Sequence, residues 1–224
     1  MDQARAALLL IDMQKESKYG IDLLDEAVAA AIPLIECCRR FSIPVIYTRQ
    51  VNRSDGVGLP TNEVVDGTGV PTYYRSDSDA VGIIDDVSPK PNEIVLDKLR
   101  WSGFFATPLD SILRSLGVRE LLLGGFVTDG CVLTTAFDAF ALDYRVTLVK
   151  DICAATNIGA HQSAILTMSN WIYGIEIIDA AEQVARCNGE RYSSWRSTAP
   201  DQMQFTGDSL DSVFASLTSS GDPL

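Results

Sequence analysis

Residues 120–143 read ELLLGGFVTDGCVLTTAFDAFALD. The apolar run ELLLGG over 120–125 breaks at two glycines, crosses a short polar turn and enters a helix over 129–143. A continuous apolar run bounded by glycine is the pattern of a strand buried on both faces. Buried strand, tight turn and helix in succession make up the repeating unit of a parallel α/β sheet.

The same pattern recurs on both sides of this stretch. Upstream, AALLLI over 6–11 is a buried strand ending in Asp12, and residues 23–40 have helical periodicity with Leu24, Val28, Ile32 and Ile35 on one side. PVIYT (44–48) and EIVL (93–96) are further strands, the latter followed by Asp97 and Lys98. A helix follows over 108–116, with Thr107 as candidate N-cap. Downstream, RVTLV (145–149) is a strand with Asp151 just past its end. A helix over 159–171, a short strand over 175–178 and a helix ending near Cys187 complete the series. This alternation predicts a three-layer, Rossmann-like α/β fold: a six-stranded, mostly parallel sheet with helices on both faces. Residues 1–187 form the predicted domain. Residues 188–224, rich in Ser, Asp and Gly, read as a C-terminal tail, loosely ordered or packing against a neighbouring subunit. Residues 51–91 are rich in Gly, Pro, Asp and Ser and have no sustained period, so they read as a long excursion that shapes a pocket.

Composition narrows the partners. Of 224 residues, 46% are hydrophobic and 21% charged, as in ordinary globular domains. A net charge of −12 repels phosphate backbones and anionic lipid, so nucleic acid and acidic membranes are not expected partners; a small-molecule substrate is. No stretch approaches the roughly 20 apolar residues of a membrane span, and the run at 6–11 is too short for a signal-peptide core. Cysteines at 37, 38, 131, 153 and 187 are odd in number and contain no CxxC, which fits reduced thiols in a cytoplasmic protein better than disulfides or a zinc ribbon.

In sheets of this class ligands bind beyond the carboxyl ends of the strands. Asp12, Lys98 and the turn bearing Cys131 all fall there. A thiol at a helix N-terminus meets free N–H groups and the positive end of the helix dipole, which lower its pKa and favour the nucleophilic thiolate. Those N–H groups also suit an oxyanion. Each residue has a plainer reading: Cys131 as a small buried hydrophobe, Lys98 as a snorkelling surface residue, Asp12 as a helix cap.

LLLIDMQ at the start, DKLRWSGFFATPLDSILRSLGV in the middle and GGFVTDGCVLTTAFDAFALDYRV after it resemble the isochorismatase-like cysteine hydrolase family. The resemblance spans residues 6–178 and implies a triad of Asp12, Lys98 and Cys131. It also implies a cis peptide at Val127–Thr128 and an oxyanion hole formed by the Thr128 and Cys131 amides. Nicotinamidase-like members bind a divalent metal through an Asp and two His after the second strand. The single histidine here, His161, lies far from that segment, so no metal and no other cofactor is expected. Members that hydrolyse the vinyl ether of isochorismate generally lack the cysteine. Retention of Cys131 therefore implies amidohydrolase chemistry on a small amide, carbamoyl or ureido compound, through a thioester. Hydrolysis of a non-amide bond on the same fold, or a catalytically silent binding protein, are the competing readings. Homodimers or homotetramers are implied by the family. Where many relatives carry Asn-Asp-Phe after DMQ, this chain has Lys15, Glu16 and Ser17.

Further candidates surround the triad. Gln14 is expected to orient Asp12 or line the pocket. Trp101 and Phe104 are candidate aromatic walls, with core packing as the alternative. Arg75 is a candidate clamp on a carboxylate or ureido carbonyl, because its fork suits planar acceptors. Asn157 is placed to reach the site, and His161 is expected to be structural.

Overall fold

The computed structural model describes residues 5–16 and 19–217. Strands β1 (Ala6–Ile11), β2 (Val45–Gln50), β3 (Ile94–Lys98), β4 (Glu120–Phe126), β5 (Arg145–Ala154), β6 (Glu176–Ile178) and β7 (Trp195–Arg196) form one sheet in the order β3-β2-β1-β4-β5-β6-β7. All neighbours pair in parallel except β7, which runs antiparallel to β6. The chain moves outward from β1 to β3 and then returns to place β4 against β1. The crevice at that reversal is where ligands enter such sheets.

Every residue of β1 is buried, and its side chains divide by parity. Ala7, Leu9 and Ile11 join one core cluster and Ala6, Leu8 and Leu10 the other, as the period of two requires. On the first face pack α2 (Leu109–Ser115), α3 (Leu133–Ala141), α4 (Ile158–Trp171) and α6 (Leu210–Ala215); on the second pack α1 (Leu24–Arg40) and α5 (Ala180–Asn188). Among the described residues no helix is long and apolar enough to cross a membrane.

The glycines of ELLLGG have a packing cause. A Cβ on Gly125, at φ 123°, would lie 2.0 Å from the Ile11 carbonyl oxygen, and one on Gly124 would lie 2.3 Å from the Ile152 side chain. Only glycine lets β4 end this close to β1 and β5.

Two boundaries differ from the sequence reading. Strand β5 continues past 149 to Ala154, so Asp151 lies inside it and accepts the N–H of Ala180 at the start of α5. The sheet also has a seventh strand, in the segment read as a tail. Trp195 and Arg196 extend the edge, and Leu210, Val213 and Phe214 of α6 pack on the core. Ser17 and residues 218–224 lie outside the described residues.

An ion cluster joins β7 to the amino-terminal edge of the sheet. Glu176 accepts from Arg186 Nη1 at 3.0 Å, Arg196 Nη2 at 2.8 Å and Ser194 Oγ at 2.6 Å. Neighbouring Glu120 pairs with Arg145 at 3.3 Å. A cleft of about 250 Å³ here, lined by Glu120, Arg145, Glu176 and Arg186 among others, lies at the end of the strands opposite Asp12. The side chains of Glu176 and Arg186 are 4% and 7% exposed; without Glu176, Arg186 keeps only a longer contact with Glu120 at 3.7 Å. Glu176→Ala should therefore cost about 3–5 kcal/mol of unfolding free energy. Urea denaturation measures it, and a loss within experimental error would show that the cluster does not hold this edge.

Candidate active site

Asp12 directly follows β1 with φ 49°, a left-handed conformation that Asp tolerates better than most residues. Its N–H bonds the Thr48 carbonyl at 3.2 Å and its Oδ1 accepts from Thr48 Oγ1 at 2.7 Å. Lys98 closes β3, two strands away, and its side chain is fully buried. Its Nζ lies 2.6 Å from Asp12 Oδ2, 3.0 Å from Gln50 Oε1, 3.0 Å from the Arg100 carbonyl and 3.3 Å from Cys131 Sγ. The three residues predicted at carboxyl ends of strands thus meet at one ammonium.

Cys131 sits in a wide helical turn, Thr128–Val132, that precedes α3. The Val132 N–H reaches back five residues to the Val127 carbonyl, which also accepts from Gly130 N–H. Thr135 Oγ1 donates to the Cys131 carbonyl at 2.6 Å, and Thr128 Oγ1 lies 2.9 Å from His161 Nδ1. Burial pushes His161 down to about 4, so at neutral pH it is an uncharged partner that ties the turn to α4. The cis peptide is Phe126–Val127, one residue before the bond expected. Phe126 is the last residue in the β4 ladder, whereas the Val127 carbonyl already belongs to the helical turn, so the chain changes direction ahead of Val127.

The electrostatics also differ from expectation. Burial and the Asp12 carboxyl push the Cys131 thiol up to about 12, against the pull of Lys98. Both effects favour S–H over thiolate, and the hydrogen bond at the sulfur comes from Lys98 Nζ. Burial opposes the Lys98 ammonium, but Asp12 and Cys131 outweigh it and raise its pKa. An ammonium has three N–H donors. Asp12, Gln50 and Arg100 offer three oxygens to them, so the sulfur holds only a shared, fourth contact until it becomes an anion.

Several expected site residues are occupied elsewhere. Gln14 does not touch the Asp12 carboxyl; it clamps Gln50 and Val81, donating to both carbonyls at 3.0 Å and accepting from the Gln50 N–H at 2.8 Å. Arg75 forks onto Asp77 at 3.0 and 2.8 Å, so its guanidinium is already paired. Phe104 packs on the core and stacks on Tyr144 at 5.8 Å. Asn157 caps α4, accepting from Ala160 N–H at 2.8 Å. Trp101 is not in the core: it stands 67% exposed, next to the Arg100 carbonyl that binds Lys98. Cys37, Cys38, Cys153 and Cys187 are buried, whereas Cys131 is partly exposed.

Sequence reasoning missed Thr48, Gln50 and Asn52, all buried. They occupy alternate positions as β2 runs out, so they share one face. Three polar residues at i, i+2 and i+4 after an apolar run were the available signal. Tyr19 was missed too. Burial raises its pKa, and its ring meets those of Tyr73 and Tyr74 edge-on.

Comparison with known proteins identifies the family. The isochorismatase domain model matches residues 6–182. Ureidoacrylate amidohydrolase RutB of Klebsiella pneumoniae subsp. pneumoniae is 36% identical over 226 residues, covering 84% of this chain and 93% of that protein. An isochorismatase family protein from Desulfovibrio vulgaris superposes with TM-score 0.74 at 28% identity, covering 80% of this chain and 96% of that one. N-carbamoylsarcosine amidase from Thermoplasma acidophilum gives TM-score 0.66 at 27% identity, covering 80% and 98%. The family model reaches from β1 into α5 and so takes in the whole Asp12–Lys98–Cys131 constellation: this chain belongs to the isochorismatase-like cysteine hydrolase family.

Proposed function

We propose that this protein hydrolyses a C–N bond of a small ureido, carbamoyl or amide compound, with Cys131 as nucleophile. The observation that carries the reading is the Lys98 ammonium, 2.6 Å from Asp12 and 3.3 Å from Cys131. The names of two similar proteins, a ureidoacrylate amidohydrolase and an N-carbamoylsarcosine amidase, support this substrate class.

The chemistry starts from a neutral thiol. As sulfur attacks the substrate carbonyl carbon, its proton passes to Asp12, the carboxylate paired with the same ammonium. Lys98, beside both Asp12 and the sulfur, stabilises the negative charge as it leaves the carboxylate. The carbonyl oxygen becomes an oxyanion, received by backbone N–H groups of the Cys131 turn. Asp12 returns the proton to the leaving nitrogen, the C–N bond breaks, and the acyl group stays on sulfur as a thioester (a thiocarbamate where the carbonyl carries a second nitrogen). Asp12 next takes a proton from water, hydroxide adds to the acyl carbon, and the C–S bond breaks as the thiol is restored.

A screen of ureido acids, N-carbamoyl amino acids and small amides, read by release of ammonia or amine, tests the reading directly. Hydrolysis of none of them would reject it. With the best substrate, Cys131→Ser should lower kcat/KM by at least about three orders of magnitude while circular dichroism stays unchanged. A serine variant within tenfold of wild type would exclude sulfur as the nucleophile.

The roles of Asp12 and Lys98 separate in the pH dependence of iodoacetamide alkylation at Cys131. Asp12 raises the thiol pKa and Lys98 lowers it. Asp12→Asn should therefore move the alkylation midpoint to lower pH and yet abolish turnover, because thiolate is plentiful but the proton carrier is gone. Lys98→Ala should move the midpoint upward. An Asp12→Asn midpoint at or above that of wild type would contradict the assignment.

A further inference from the structure

Lys98 is the first member of a hydrogen-bond chain that leaves the triad. Its ammonium donates to Gln50 Oε1 at 3.0 Å; Gln50 Nε2 donates to Asn52 Oδ1 at 3.2 Å; Asn52 Nδ2 donates to the Tyr73 carbonyl at 3.2 Å. Gln50 and Asn52 are 8% and 2% exposed. The direction of the chain is fixed at both ends. An ammonium only donates, so Gln50 must present oxygen to it and nitrogen to Asn52. A carbonyl only accepts, so Asn52 must present nitrogen to Tyr73 and oxygen to Gln50. No other orientation of the two amides satisfies both ends.

The far end of the chain carries aromatic rings. Backbone bonds from Asn52 N–H to the Tyr74 carbonyl at 2.8 Å and from Ser76 N–H to the Asn52 carbonyl at 2.9 Å fix the segment alongside residue 52. Glu16 Oε2 accepts the Tyr74 N–H at 2.8 Å. The rings of Tyr73 and Tyr74 meet Tyr19 edge-on, at centroid distances of 5.6 and 6.1 Å. Glu16 belongs to the segment that continues from Asp12, so its bond to Tyr74 sets these rings at the end of the sheet that carries the triad.

We infer that Gln50 and Asn52 are positioning residues: a directed amide relay that sets the Tyr73–Tyr74 segment, and with it the Tyr19 ring, as the substrate wall in register with the Lys98–Cys131 pair. This rests on the reading of that pair as catalytic. The relay makes the ammonium serve two purposes, holding the reacting groups and fixing the wall that faces them. Its polarity also explains why amides, and not carboxylates, occupy positions 50 and 52. One oxygen in place of either donor forces an oxygen–oxygen contact somewhere along the chain, and flipping the remaining amide only moves the clash.

The test uses two near-isosteric variants, Gln50→Glu and Asn52→Asp, and the double variant. Amide hydrogen exchange across residues 72–76, measured without substrate, should accelerate about tenfold in each single variant, the change expected when one buried hydrogen bond is lost. The double variant should exchange no faster than the faster single one, because both changes break the same chain. On the best ureido or carbamoyl substrate, Asn52→Asp should raise KM about tenfold with kcat and the Cys131 alkylation profile little changed, since Lys98 keeps its contacts. Where the carboxylate at 52 prevents folding, Asn52→Ser gives the same readouts. Unchanged exchange in either single variant, multiplying effects in the double, or faster exchange with unchanged KM would each overturn the inference. The exchange arm needs no substrate, so a protein that hydrolysed no ureido compound would sink the proposed function while the relay was still decided on its own.

Discussion

One buried positive charge organises this molecule's functional end. An ammonium taken out of water costs several kcal/mol unless paired and hydrogen-bonded. Lys98 meets that demand with Asp12 from the end of β1, Gln50 from the end of β2, the carbonyl of Arg100 and the sulfur of Cys131. Four segments distant in sequence are thereby held to one point. The sheet order explains how: β1 and β2 stand between β3 and β4, so a long side chain from the end of β3 crosses above them toward the β4 turn. The glycines of β4 matter for the same reason, because they let the turn bearing Cys131 start directly beside the last residue of β1.

The state of the sulfur follows from a balance of magnitudes. A helix N-terminus favours a nearby anion by about 0.3–1 kcal/mol. Burial, the larger effect, and the adjacent Asp12 carboxyl both raise the thiol well above its ordinary range. Burial and the adjacent carboxylate therefore outweigh the helix end, and the thiol waits protonated. A site of this kind depends on its base. The proton has to move as the bond forms, and the carboxylate that suppresses the resting thiolate is the group placed to accept that proton. In the proposed reaction Lys98, within reach of both groups, stabilises the negative charge as it passes from Asp12 to sulfur.

Much of this was legible in the sequence, for identifiable reasons. Strands buried on both faces show as unbroken apolar runs, so AALLLI and ELLLGG announced themselves and fixed where Asp12 and the Cys131 turn would fall. Lys98 was found because it lies two residues past the apolar run EIVL. Strand β7 was invisible because two residues carry no periodicity, and β5 was cut short because Lys150 and Asp151 interrupt its apolar run in mid-strand. Side-chain partners were the least legible feature. The stacking of Phe104 on Tyr144 and the fork of Arg75 on Asp77 depend on three-dimensional placement that spacing does not encode. Asn157 is different: an Asn just before a helical run is an N-cap signal, which the sequence reading passed over in placing it at the site.

The central claim is that the acyl group passes through the sulfur of Cys131. Partition with hydroxylamine tests it most directly, because a second nucleophile can capture an acyl-thiol only if one exists. Adding hydroxylamine to the turning-over enzyme should divert product from the acid to the corresponding hydroxamate or N-hydroxyurea, with the rate of amine release no lower than before. Turnover that yields only the acid at saturating hydroxylamine would mean that water attacks the substrate directly and that Cys131 is not the nucleophile.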